Sequence, residues 1–417
     1  MVLAVLLILL IVFCSPASAK EPTWIQNVSE EYITDLAVSE DGSRVVVGTS
    51  MGGLYLYDGN GSLLWSERYK GTMSVGIASD ASLIVSGESE SSEKDKGTLR
   101  VYDRNGTLAW RRHTGWISGF GISEDLGRIA VGNRLGQVVV YDHEGSEEFL
   151  EDNLLKRYSP VSALALSADG IYAGYSLLEK TPAIYLINVD TWGIRTISSA
   201  FREYGSAVHT IRFTGNGTYL LAASGEGSTD KAYLFTNRGV MRWNESIPHI
   251  HDMEISSDGD LCVIGSDDGC IRVYDTAGNL SWTRCMRGAI QTLSITPQGD
   301  LLVAGSEEGE IYLMDSEGAF VWMYTPQRFP RATIQAAQIS SLGSAVVTVV
   351  NRNEILYFTG EPDPPIDVTL PEESDQEASQ IPEEALQEPP FPVRFFGGAI
   401  PYSDCGSELI RAFQPLQ

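Results

Sequence analysis

Imidazole nitrogens and carboxylates are the ordinary donors for zinc, copper and iron, and this chain gathers them in one stretch. It has five histidines, and His209, His249 and His251 lie close in a repeated register. His209 and His251 hold the same position in successive repeats, and His249 lies two residues before His251. Asp252 and Glu254 follow, and Arg212 matches Glu254 in register. Such a set could hold a divalent cation near the mouth of a channel. It could equally form a hydrogen-bonded polar patch with Arg212 and Glu254 paired between neighbouring repeats. The second reading is adopted, because register fixes neighbours and not ligand geometry. No catalytic residue, cofactor or metal is assigned.

Other chemistry is sparse. No Ser-His-Asp set, P-loop or HExxH helix stands out. Four cysteines follow the N-terminal segment: Cys262, Cys270, Cys285 and Cys405. Cys270 and Cys285 flank one hairpin at nearly matching distances from its turn, so either a cross-strand disulfide or two buried thiols fits. Asn-X-Ser/Thr occurs at Asn27, Asn60, Asn105, Asn216, Asn244 and Asn279. These are glycan acceptors in an exported chain. Asn60, Asn105 and Asn216 precede glycine, so turn chemistry alone also accounts for them.

The elements that carry these residues come from a phrase spelled repeatedly. "LYLYDGNGSLLW" (54–65), "LRVYDRNGTLAW" (99–110), "IRVYDTAGNLSW" (271–282) and "IYLMDSEGAFVW" (311–322) are variants of one another. Ahead of each lies strand, turn, strand, as in "ITDLAVSEDGSRVVVG" (33–48). Equivalent strand ends fall at Val38, Ile77, Ile122, Leu166, Phe213, Ile255, Ile295 and Ile339, 39 to 47 residues apart. That period predicts eight propeller blades of four antiparallel strands, a to d. Tyr57, Tyr102, Tyr141 and Tyr274 share one place, with Phe235 and Met314 as apolar substitutes. The Asp after the tyrosine should bond forward to backbone N–H groups. The strand-d tryptophan should cover the joint with the next blade, because no blade can bury both faces alone.

The eighth unit ends "EILYFTGEP" without a tryptophan strand, whereas residues 22–28, "PTWIQNV", are a fourth strand without the first three. The N-terminal strand is therefore expected to complete the last blade and close the ring, removing an exposed edge.

The "DG…V..G..DG.I.VYD" portion resembles a WD repeat, with Tyr-Asp where that family has Trp-Asp. The "D..G.L.W" portion resembles the repeat of quinoprotein dehydrogenases and of the non-catalytic propeller lipoprotein of outer-membrane assembly. The resemblance spans roughly residues 22–358 and implies blade construction, not chemistry. Quinoprotein enzymes of this kind commonly stack their quinone beside an adjacent Cys-Cys disulfide and hold calcium. This sequence has no Cys-Cys pair.

The chain has 417 residues, 43% of them hydrophobic, which allows a large core. Its formal charge of −26 disfavours a nucleic-acid partner. Residues 1–19 read as a secretory signal peptide: an apolar run, Pro16, then Ala17-Ser18-Ala19, with Lys20 as the first mature residue. Residues 20–359 form the propeller. Residues 360–390 are an acidic, Pro/Glu-rich linker, expected to be disordered. Residues 391–417 regain aromatics in a short segment. No mature transmembrane span is expected. The expected function is a non-catalytic exported scaffold, secreted or at the cell surface, binding a protein or a cell-envelope polymer. It would act as a monomer or within a larger assembly. The alternatives are a quinone- or metal-dependent oxidoreductase and a structural surface-coat glycoprotein.

Overall fold

In the computed structural model, the Tyr-Asp phrase is a device for turning the chain. Asp58, Asp103, Asp142, Asp275 and Asp315 each end or follow a strand. Each accepts, on Oδ1, the N–H groups two and four residues ahead at 2.7–3.0 Å. One carboxylate thus satisfies two donors that the hairpin would otherwise leave open. The glycine between them takes a positive φ, as at Gly106 (84°), which side-chain-bearing residues adopt at a cost.

The structure describes residues 18–359 apart from 29–30, 91–95, 125–126, 153–158, 180–182, 198–206, 226–228 and 327–331. The apolar N-terminal run (1–17), the linker (360–390), the last segment (391–417) and Cys405 lie outside the described residues. So do the centres of the two long polar loops, 89–97 and 224–232. No helix among the described residues is long and apolar enough to cross a membrane.

The strands form eight antiparallel blades around a ring. They occupy residues 33–68, 72–113, 117–152, 161–197, 208–248, 250–285, 290–324 and, for the eighth, 334–359 joined by 24–27. Strand a of each blade lines the channel. Trp24–Asn27 pairs antiparallel with Glu354–Thr359, with Trp24 opposite Tyr357. The expected closure by the N-terminal strand is therefore the one observed. One pairing was not anticipated. Ser18–Ala19 lies parallel to Trp322 and Met323 on the outer edge of blade 7, giving that blade a fifth strand.

Joints between blades explain why the phrase recurs. Trp24, Trp65, Trp110, Trp243 and Trp282 each lie on the c–d turn of the following blade, against Gly61, Gly106, Gly145, Gly278 and Gly318. A Cβ on any of these glycines would stand 2.6–2.9 Å from the tryptophan side chain. Four of these tryptophans also meet the following blade's tyrosine, with ring centroids 5.4–6.2 Å apart. A second seam joins the a–b turns: Glu40 donates to Ser79, Glu124 to Ala168, Asp169 to Gly215, Gly215 to Ser257 and Ser257 to Pro297, all main chain at 2.8–3.1 Å. Leu342 N–H donates to Glu40 at 3.0 Å and joins blade 8 to blade 1. Among the described residues the core is eight clusters, such as Val303, Leu313, Trp322, Ile334 and Phe358 between blades 7 and 8, rather than one central mass.

Candidate functional site

The polar groups singled out from sequence meet where blades 5 and 6 join. His209 begins strand a of blade 5 (Val208–Phe213), and His251 begins strand a of blade 6 (Ile250–Ile255). Both follow a d–a connection, so both lie on the face that also carries the b–c turns. Asp230, near the start of strand c of blade 5 (Thr229–Thr236), stands between them with its side chain fully buried. Its Oδ2 accepts the Ile250 N–H at 2.7 Å. It also lies 3.0 Å from His249 Nδ1 and 3.3 Å from His209 Nε2. These imidazoles sit at ion-pair distance but out of line for a hydrogen bond to it. Gly225 makes room for the carboxylate, since a Cβ there would overlap Oδ1.

His251 turns to a different acid, Asp267 Oδ1, at 2.9 Å. The His209 and His249 rings are 6.2 Å apart and the His249 and His251 rings 5.0 Å, edge to face. Burial holds His209 below the usual imidazole range, against the pull of Asp230 and with the push of His249. Among the described residues, no group of three or more His, Cys, Asp or Glu side chains is arranged to hold a metal ion. The three candidate histidines are thus neighbours distributed over two carboxylates. Asp230 was missed in the sequence because nothing in "STDKA" sets it apart. Only its place opposite the d–a connection does.

Deeper in the channel wall the paired residues expected from register are in contact. Arg212 Nε donates to Glu254 Oε1 at 3.0 Å, and a second guanidinium nitrogen to Asp252 Oδ1 at 3.2 Å. Asp252 also accepts the Met253 and Leu293 N–H groups, both at 2.9 Å, so it spans blades 5, 6 and 7. Glu254 raises the Arg212 pKa. Burial pushes Glu254 up to about 7 and raises Asp252 as well. Asp35 repeats the arrangement without an arginine: its carboxylate accepts Leu36 and Val75 N–H, both at 2.9 Å, and burial lifts it to about 6. Thr292 does the same for Ala337 at 3.1 Å. These side chains fasten adjacent inner strands.

The face carrying the b–c and d–a turns presents a different chemistry. Tyr32, Met51 and Leu178 are 60%, 55% and 57% exposed. The Arg352 guanidinium lies 5.7 Å from the Tyr32 ring centre, and that of Arg134 3.8 Å from Trp116. Main-chain bonds Ile33 to Arg352 and Arg134 to Trp116 hold these pairs at the rim. Sequence reading missed them because they stand at turn positions outside the repeat phrase.

Of the acceptor asparagines, Asn60, Asn105 and Asn279 lie in c–d turns and Asn216 in an a–b turn, all exposed on the opposite face. Asn27 ends the closing strand, and Asn244 lies half-buried in strand d of blade 5. Cys270 and Cys285 face each other across strands c and d of blade 6, joined by a disulfide. Cys262 is buried, and burial pushes its thiol up to about 12.

A family model described as WD domain, G-beta repeat matches residues 244–275. That stretch runs from the last strand of blade 5 through the first three of blade 6, the same phasing that lets an N-terminal fourth strand close the ring. No curated protein matches the sequence. Among solved structures, the fold is similar to Chaetomium thermophilum Sqt1 bound to the N-terminus of ribosomal protein L10. That likeness has 16% identity and a TM-score of 0.67 over 82% of this chain and all (100%) of that one. It is also similar to the C-terminal WD40 domain of Sif2, at 13% identity and TM-score 0.65 over 82% and 99%. The computationally designed Ika8 protein matches at 17% identity and TM-score 0.61 over 82% and 98%. The repeat match and the fold likeness support a WD-repeat β-propeller.

Proposed function

We propose that this WD-repeat propeller is a non-catalytic binding scaffold that works outside the cytoplasm, secreted or at the cell surface. It holds a protein or a cell-envelope polymer on the face of the b–c and d–a turns. The observation that carries the reading is the pair of aromatic and arginine clusters there, exposed Tyr32 with Met51 and Arg352, and half-buried Trp116 with exposed Arg134. Tyrosine, tryptophan, arginine and methionine are the residues enriched where partners dock. Sqt1, a propeller of similar fold, is seen with the N-terminus of a ribosomal protein, which fits a scaffold role for this architecture. Glycans at Asn60, Asn105, Asn216 and Asn279 would coat the opposite face and leave this one open.

The test is affinity capture from the native envelope with the full chain and two altered forms. One carries Tyr32→Ala with Trp116→Ala; the other carries Asn60→Gln with Asn105→Gln on the far face. The reading expects one partner to be lost with the first and kept with the second. Capture indifferent to the first pair would overturn the face. Quinone-dependent turnover with added calcium would overturn the non-catalytic assignment.

A further inference from the structure

One joint in the ring is built differently from the rest. Seven residues after each turn-forming position stands the strand-d side chain that covers the next blade. In blades 1 to 7 these are Trp65, Trp110, Phe149, Arg195, Trp243, Trp282 and Trp322, and in blade 8 Trp24 of the N-terminal strand holds the same place. The register is the same for Arg195, which pairs with Leu186 as Trp65 pairs with Leu56 and Trp282 with Val273. Blade 4 alone thus offers an arginine where every other blade offers an aromatic ring. Its Cδ lies 3.2 Å from where a Cβ on Gly239 would stand, so the aliphatic stem takes the place of the indole on the turn of blade 5. A stem is narrower than an indole, and a cleft of about 350 Å³ remains between the two blades.

The walls of that cleft have also changed. Where five other turns have aspartate, blade 4 has Asn188 and blade 5 has Thr236. The lining holds Arg195 and Arg238 with Tyr172, Asn188, Thr191 and Asn237, and no carboxylate. Neither arginine has an ion-pair partner among the described residues. Asp190, in the same turn, is held instead by Arg128 at 2.7 Å. Asn188 accepts the Thr191 N–H and hydroxyl on Oδ1 at 2.9 and 2.7 Å, so what it can give a ligand is its Nδ2–H. In a chain of formal charge −26, two exposed arginines without ion-pair partners among the described residues line one cleft with side-chain amides, where the repeat's own turn aspartates have been replaced.

We propose that this cleft binds a phosphate or sulfate monoester. Each guanidinium presents a planar fork of N–H donors suited to two oxygens of a tetrahedral oxyanion. Two forks with a side-chain amide match its three terminal oxygens better than the two of a carboxylate. The cleft is larger than the ion alone requires, and the excess is room for the alcohol that carries the ester. The chain's distant carboxylates oppose binding only weakly, since charges beyond about 8 Å are screened at physiological salt.

The experiment is calorimetric titration of the full-length protein at matched ionic strength with inorganic phosphate, inorganic sulfate, glucose 6-phosphate and acetate. One saturable site per chain is expected for the ester, with acetate much weaker. Tighter binding of the ester than of inorganic phosphate identifies an ester-borne group, and equal binding a free ion. Arg195→Gln and Arg238→Gln should each weaken binding about tenfold, the low end for a charge-assisted hydrogen bond at an open site. Arg195→Trp restores the residue used at the other joints, so it should abolish binding while melting no lower than the parent chain. No saturable binding of phosphate, sulfate or ester, acetate binding as tight as the ester, or affinity unmoved in both glutamine variants would overturn the site.

Discussion

Gly106 lies at a joint between blades and Gly119 on strand a of blade 3, and an added methyl group meets opposite fates at the two. Gly106 has φ 84° and a Cβ there would lie 2.9 Å from Trp65, whereas a Cβ on Gly119 meets nothing within 4 Å. Gly106→Ala should cost about 2–3 kcal/mol, from left-handed strain and a displaced indole. Gly119→Ala should stay within about 0.5 kcal/mol of the parent. Denaturant midpoints of the two variants check this. A second expectation concerns protons. Burial raises Asp35 to about 6 in the folded chain, above its ordinary 3.8. The fold therefore binds its proton more tightly than the unfolded chain does. This contribution to stability is full below about pH 4 and lost as pH rises through 6, on the order of 1 kcal/mol for a carboxylate only half-buried by area. Asp268 runs the other way: the Arg272 hydrogen bond lowers it to about 2, so its contribution holds above about pH 4 and fades as pH falls toward 2. Subtracting the stability profile of Asp35→Asn from that of the parent should leave a fall confined to pH 4–6. A flat difference would contradict the assignment. The Tyr-Asp turns were legible because their chemistry is local, a carboxylate two and four residues from its donors. Asp230 was not, because what it touches depends on which blades become neighbours, and the Arg134–Trp116 pair was not, because both stand at turn positions outside the repeat phrase.

At the scale of strands, one four-residue segment completes the last blade. Trp24–Asn27 supplies the fourth strand of blade 8 and a tryptophan for the turn of blade 1, where its Nε1 donates to Gly59 O at 3.0 Å. Trp24→Ala should cost about 3 kcal/mol, the low end for a large aromatic because this one is partly exposed. Removing residues 22–28 should cost more, because it also bares the edge of Glu354–Thr359. Thermal melts of the two would rank them, and equal melting of parent and deletion would rule out a structural role for the strand. This element was readable because a fourth strand at the start and a missing one at the end complement each other in type. The Ser18–Ala19 pairing on blade 7 carried no such mark, being two residues with no periodicity. Arg195 escaped for a related reason: an absent tryptophan shows only once all the blades are set in register.

For the whole molecule, the described ring ends with strand c of blade 8. Phe358 is fully buried against Trp322 and Tyr324, while Thr359 is already exposed. A chain ending at Thr359 should melt like the full one, and failure to fold would move the domain boundary. The eightfold count could be read from spacing alone, because every blade repeats the same solution to burying two faces. The partner could not, since the turns that would meet it are the positions the repeat leaves unconstrained.

The closing pair has a mechanical consequence. Thr23 N–H bonds Tyr357 O at 2.7 Å and Trp24 sits opposite Tyr357, while at the other end Asn27 faces Glu354. Both strands therefore reach the rest of the chain from the same rim, side by side. Tension drawn outward between residues 22 and 359 does not shear the pair along its length. It loads the rungs one after another, Trp24–Tyr357 first, as a zip is opened from its slider. A ring shut in this way resists heat as a closed circle does, yet yields to a small pull applied between its two ends.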